Sequence, residues 1–149
     1  MTVNELIIKG RTIKEIYVDN WRLMFKLEND EVFLFYHDQE CCENVIIDQI
    51  DGDLDDLIGN PLLMAEETIQ EGDTDWGTQT WTFYRFATIK GYVTVKWHGE
   101  SNGYYSESVD MDLIKEYNKF TPDDIVNRAK WGSNVYIVDI SNETDNNKQ

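Results

Sequence analysis

Residues 21–27 alternate along the chain. Trp21, Leu23, Phe25 and Leu27 fall on one side of an extended backbone, and Arg22, Met24 and Lys26 fall on the other. That is the two-residue period of a strand whose faces meet different surroundings. Residues 12–18 alternate less cleanly around Ile13. Residues 32–36 are apolar and aromatic throughout, which suits a central strand, and Asn29-Asp30 supplies turn residues before it. Together these segments predict an antiparallel hairpin or meander. Residues 45–50 are a further strand candidate. Three runs rich in Trp, Tyr, Phe, Val and Thr follow at 79–89, 92–97 and 104–111, separated by Lys90-Gly91 and by residues 99–103. In the middle run Val93, Val95 and Trp97 share one face, and Thr94 and Lys96 share the other. Residues 134–140 make a last strand.

Helical signals are few and short. Residues 3–9 are an apolar-rich lead-in closed by Gly10. Residues 53–58 read as one helical turn, stopped by Gly59 with Pro61 beyond. Thr121-Pro122-Asp123-Asp124 has the form of a helix start, with an N-cap, a proline in the first helical position and acids in the first turn. A helix is therefore predicted over 125–131, ended by Gly132. Residues 62–69 fit strand or helix equally well, 71–77 form a polar loop, and 141–149 form a polar, disordered tail. The predicted class is α+β: mainly antiparallel sheet in a curved meander, with one or two short helices. A length of 149 residues suits a single domain over 1–149, and no repeat or linker interrupts it.

Charge changes the picture because of where it sits. Of the 29 acids, sixteen lie between Glu28 and Asp75, and no Lys or Arg occurs between Lys26 and Arg85. The remainder of the chain is balanced, so this one segment carries the whole net charge of −16. Such a segment is either a solvated face that maintains solubility or a surface for a basic partner. Asp48, Asp51, Asp53, Asp55 and Asp56 are its densest part and the candidate partner-binding residues. Direct binding of DNA or RNA is disfavoured, since that requires a basic footprint. The apolar runs are too short to span a bilayer, and residues 1–10 lack the apolar core of a signal peptide, so the chain reads as intracellular.

Soft metal ligands are scarce and concentrated. Both cysteines, Cys41 and Cys42, and one of the two histidines, His37, lie within six residues, and the other histidine is His98. Imidazole and thiolate are the usual ligands of zinc. His37 and Cys41 are four apart and can face one way if the chain turns after His37. A fourth ligand could be Asp38, Glu43, His98, another carboxylate or water. The alternative is a pair of small buried hydrophobes beside an ordinary histidine. A Cys41–Cys42 bridge is disfavoured, because neighbouring Cα atoms are about 3.8 Å apart and disulfides usually span roughly 4.4–6.8 Å. Asp51-Gly52-Asp53-Leu54-Asp55 imitates the start of a calcium loop, but Asp56 stands where the glycine belongs and Leu62 where the closing glutamate belongs. Residues 99–106 read as a hairpin loop with packed tyrosines, or as a small polar site lined by Glu100, Ser101 and Asn102. No nucleophile–base pair, Walker loop or dinucleotide fingerprint is present.

Three blocks, H-D-Q-E-C-C-E (37–43), I-D-G-D-L-D-D-L-I-G (50–59) and G-Y-V-T-V-K-W-H-G-E-S-N-G-Y-Y-S-E-S-V-D (91–110), resemble a family of small phage and prophage proteins known mainly as a domain of unknown function. Some phage proteins of this general kind are associated with inhibition of type II CRISPR–Cas nucleases. The resemblance covers residues 10–112 and strengthens the expectation of a structural Zn²⁺ at His37, Cys41 and Cys42. It implies a non-enzymatic anti-CRISPR in the cytoplasm of a bacterial host, presenting its acidic segment to a basic cleft of a Cas9-type effector. Two other functions compete. One is a zinc-dependent hydrolase with Glu43 or Glu40 as general base. The other is a protein that sequesters a small ligand at residues 99–106.

Overall fold

The computed structural model describes residues 2–115, 128–131 and 135–138. Eleven strands occur among them: β1 (Val3–Glu5), β2 (Ile13–Val18), β3 (Leu23–Leu27), β4 (Val32–Tyr36), β5 (Asn44–Asp51), β6 (Met64–Asp73), β7 (Thr78–Thr88), β8 (Gly91–Ser101), β9 (Asp110–Ile114), β10 (Arg128–Trp131) and β11 (Val135–Val138). They form two sheets, one in the order β1-β6-β7-β8-β5 and the other in the order β10-β11-β2-β3-β4-β9. All pairings are antiparallel except β11 with β2.

The sheets pack face to face through aromatic side chains. Phe25 of β3 meets Phe86 of β7 edge to face at 5.0 Å, and Phe35 of β4 lies 4.8 Å from Tyr84. Alternation in 21–27 reflects this packing directly. Leu23, Phe25 and Leu27 are fully buried between the sheets, while Met24 points to the other face. Trp21 falls outside the strand, in the turn, and is exposed. β4 does not alternate because both its faces are buried. Phe33 and Phe35 join the central core, and Val32 and Leu34 join a second cluster with Tyr17 and Met24. The Asn29-Asp30 turn forms as expected, with Asp30 in the left-handed region at φ 70° and its carboxylate paired to Lys14.

Three expectations are corrected. Among the described residues the helical part of the α+β class shrinks to one 3-10 turn at Leu54–Leu57, capped by the Asp53 side chain on the Asp55 N–H. Of the helix expected over 125–131, the last four residues form β10 instead, and 125–127 lie outside the described residues. The single curved meander is a two-sheet sandwich, because the chain leaves one sheet and joins the other at the β1–β2, β4–β5 and β8–β9 connections. Residues 62–69, undecided by pattern, enter β6, which runs on to Asp73 and shortens the predicted loop to the tip 74–77. Residues 104–109 are a crossing loop, and only from Asp110 does the run become strand. The predicted tail over 141–149 lies outside the described residues.

Candidate functional site

Residues 37–43 are the corner at which the chain crosses from β4 to β5. There the His37 imidazole sits between two oxygens: Nδ1 lies 2.7 Å from the Ser108 carbonyl oxygen, and Nε2 lies 2.8 Å from Glu43 Oε2. Both side chains are almost completely buried. Both ring nitrogens therefore have an oxygen partner. Glu43 also accepts the Glu40 N–H at 2.8 Å and the Cys41 N–H at 2.9 Å. Burial pushes the Glu43 carboxyl upward, but the Glu40 amide, His37 and the Cys41 amide outweigh it and hold it down to about 2. Ser108 belongs to the neighbouring β8–β9 crossing, and the Asp38 N–H donates to Asp110 Oδ2 at 3.0 Å on the same side. The two crossings are thus fastened to each other.

Cys41 and Cys42 are exposed, on the solvent side of this corner, and are joined to each other with Cα atoms 3.7 Å apart. The bridge that Cα spacing disfavours is therefore formed. The chain turns at these residues, with the Cys41 amide drawn in by Glu43, instead of running extended with side chains on opposite faces. Among the described residues no three His, Cys, Asp or Glu side chains are grouped as ligands. His98, a candidate fourth ligand, is on β8 with its Nε2 3.1 Å from Gln79 Oε1. Glu43, the candidate general base, has both oxygens engaged, so it is poorly disposed to take a proton.

The aspartates assigned to a partner face run from within β5 into the turn that follows it. Asp48 lies 3.5 Å from Lys96 beside β8. Asp51, Asp53, Asp55 and Asp56 follow at the far end of β5, where Asp51 pairs in register with Thr94. The opposite end of the same sheet carries the 99–106 segment named as a candidate polar site, together with Trp76, which the sequence reading passed over. The hairpin tip 74–77 holds Trp76 at 92% exposure, and the 100–105 segment faces it. Between them is a cleft of about 460 Å³ whose lining includes Asp75, Trp76, Glu100, Asn102 and Tyr105. Below it Glu107 is buried and accepts hydrogen bonds from Thr78 at 2.5 Å, Thr80 at 2.7 Å and Ser101. Burial raises the Glu107 carboxyl, but those three hydroxyls and His98 lower it further, leaving it below the usual glutamate value. Glu100, Ser101 and Asn102 were legible as a polar site. Trp76 was readable as a tryptophan in a polar loop, but nothing in the pattern linked it to residues 25 positions away.

Fold and site together define a mainly antiparallel two-sheet sandwich with an aromatic core and a polar cleft at one end of a sheet. Residues 5–111 match the family described as a domain of unknown function, DUF7448, and the chain belongs to that family. The match begins within β1 and ends within β9. No curated protein and no solved structure matches the chain. No helix among the described residues is long and apolar enough to cross a membrane.

Proposed function

We propose that this domain is a phage-encoded, non-enzymatic binding protein that offers carboxylates and aromatic side chains to a basic protein of the bacterial host, namely a type II CRISPR effector of the Cas9 kind. One observation carries the binding reading. The bases described are largely consumed within the fold, and carboxylates are left over. Lys9 pairs with Glu5, Arg11 with Glu28 and Glu31, Arg22 with Asp19, and Lys96 with Asp48. Asp51, Asp53, Glu71, Asp73 and Asp75 are exposed and make no ion pair with any described residue. Unneutralised charge of one sign speeds encounter with the opposite sign, and aromatic anchors supply most of the affinity. The nuclease target itself is proposed from the resemblance of the three sequence blocks to phage proteins.

The test is cleavage of target DNA by a panel of purified type II effectors with the protein in excess. Inhibition is expected at low salt, weakening as the Debye length falls from about 10 Å at 0.1 M toward about 3 Å at 1 M. Normal cleavage across the panel at low salt overturns the proposed target.

Zn²⁺ at His37, Cys41 and Cys42 is proposed for the reduced chain only. His37 Nδ1 already faces a backbone carbonyl, the usual outer partner of a metal-bound imidazole. Glu43 would have to surrender Nε2, and both thiols would have to be free. Elemental analysis of untagged protein, purified under reduction and without chelator, is expected to show zinc near one equivalent, lost in Cys41→Ser. A trace of metal in the parent protein ends the proposal.

A further inference from the structure

We infer that the cleft between the hairpin tip 74–77 and the 100–105 segment is the recognition site of this domain, and that it takes the guanidinium of an arginine on a basic protein partner. The inference deepens the binding function proposed above and rests on it. Four features support it.

The first is chemistry. Trp76 and Tyr105 line the cleft together with the carboxylates of Asp75 and Glu100 and the amides of Asn44 and Asn102, and among the described residues none that lines it is basic. Aromatic faces attract cations, and carboxylates receive the planar guanidinium fork through two parallel hydrogen bonds. Arginine uses both at once, whereas an ammonium presents a compact and more strongly hydrated charge.

The second is exposure. An indole left 92% in solvent at a hairpin tip gains nothing for the fold. Beside it Tyr104 is 82% exposed and packs edge to face on Tyr105 at 5.0 Å. Tryptophan and tyrosine are enriched among residues that dominate binding energy.

The third is preorganisation. A Cβ on Gly77 would lie 2.1 Å from the Ser101 carbonyl oxygen and 2.7 Å from Asn102 Cα. Only glycine lets the tip approach the facing segment this closely. The tip is closed by the Thr74 N–H on the Gly77 carbonyl at 3.0 Å and by the Trp76 N–H on Thr74 Oγ1 at 3.3 Å. The facing segment is held by the Gly103 N–H on Ser101 Oγ at 3.0 Å and the Tyr104 N–H on Asn102 Oδ1 at 2.9 Å. A wall already ordered loses less freedom when a ligand arrives.

The fourth is position. Asn44 is in register with Glu100, and Asp51 with Thr94. At about 3.3 Å per residue the cleft and the aspartate turn are therefore roughly 20 Å apart. The two ends can be tested separately.

The experiment titrates ¹⁵N-labelled full-length protein with the peptide acetyl-Arg-Gly-Arg-Gly-Arg-amide, alongside the same peptide with citrulline, the uncharged isostere, at each arginine. The arginine peptide is expected to shift the Trp76 indole N–H and the amides of Asn102 and Tyr105, and the citrulline peptide to leave them in place. Trp76→Ala should weaken binding about tenfold or more, roughly 1.4 kcal/mol per tenfold, with an unchanged melting temperature. Glu5→Gln, on β1 in register with Glu66 and roughly 30 Å along the hairpin from Trp76, should change it less than about twofold, because charges more than a Debye length away are largely screened. Equal shifts with citrulline, shifts confined to residues 48–56, or a Trp76→Ala protein that binds as well as its parent would each overturn the assignment. The two proposals fail separately. Peptide binding at the cleft with normal effector cleavage removes the nuclease and keeps the site, and effector inhibition without peptide binding removes the site and keeps the nuclease.

Discussion

Glu43 and Glu107 are buried carboxylates held by opposite means. Glu43 is matched by the His37 ring and two amides, and Glu107 by three hydroxyls. Removing Glu43 deprives the buried His37 Nε2 and the Glu40 and Cys41 N–H groups of their partner, and polar groups that lose a partner are costly. Glu43→Ala should lower the melting temperature clearly, whereas Glu40→Ala, three residues away and exposed, should leave it nearly unchanged. Thermal unfolding of the two variants side by side checks this. For Glu107 the folded carboxyl lies below its ordinary value of 4.5. A depressed carboxyl contributes stability that is fully present above the unfolded value and is lost as pH falls through the folded one. The melting-temperature gap between the parent protein and Glu107→Gln should therefore be constant above about pH 4.5 and narrow below it. A gap that widens in acid would contradict the assignment.

At the level of elements, the β6–β7 hairpin is longer than its neighbours require. Only residues 66–68 of β6 are covered by β1, so the far half of the hairpin is held by β8 on one side alone. Gly77 fixes its tip by close approach to β8, while Gly72, farther down β6, has only ordinary contacts at 3.6 Å and beyond. Gly77→Ala should cost about 1–3 kcal/mol, the range for forcing an extra methyl group into space already filled, and should also weaken arginine-peptide binding by moving Trp76. Gly72→Ala should do neither. Urea unfolding and the peptide titration read both effects. Connections behave likewise: the β4–β5 and β8–β9 crossings lie side by side, and His37 and Asp38 of one are bonded to Ser108 and Asp110 of the other. The H-D-Q-E-C-C-E block thus has a structural role before any metal is considered, since it secures the corner where the chain changes sheets.

For the whole molecule, stability depends on the aromatic contacts that join the sheets. Phe35 touches Phe25, Phe33, Tyr84 and Phe86 with centroid distances of 4.8–5.8 Å and is fully buried. Phe35→Ala should cost about 3–5 kcal/mol, because the lost transfer energy is joined by a cavity that surrounding strands cannot close. Chemical denaturation measures it, and a cost below about 1 kcal/mol would mean that the sheets are held elsewhere. Charge also acts at this scale. Most acids of the 28–75 segment are at the surface, so solubility and encounter rate respond to their sum, while in the proposed recognition specificity rests on the few that line the cleft.

Local chemistry was sufficient for much of this. Alternation at 21–27 and 92–97 settled which side chains face the core, because the period of a strand depends on the backbone alone. Asn29-Asp30 specified a turn, because the Asn29 side chain acts on an amide two residues away. The cluster of His37, Cys41 and Cys42 was visible because its members are close in sequence. Tertiary structure decided what no window of neighbouring residues contains. Sheet membership, the parallel pairing of β11 with β2, and the burial of β4 on both faces depend on strands far apart in the chain. His37 turned to Ser108 and Glu43, an orientation set by an oxygen supplied from 71 residues away. Trp76 and Tyr105 became one cleft because β7 and β8 bring positions 25 or more apart to the same end of a sheet. Residue type and spacing specify local backbone geometry, whereas convergence of distant side chains follows only from the closed packing of the two sheets.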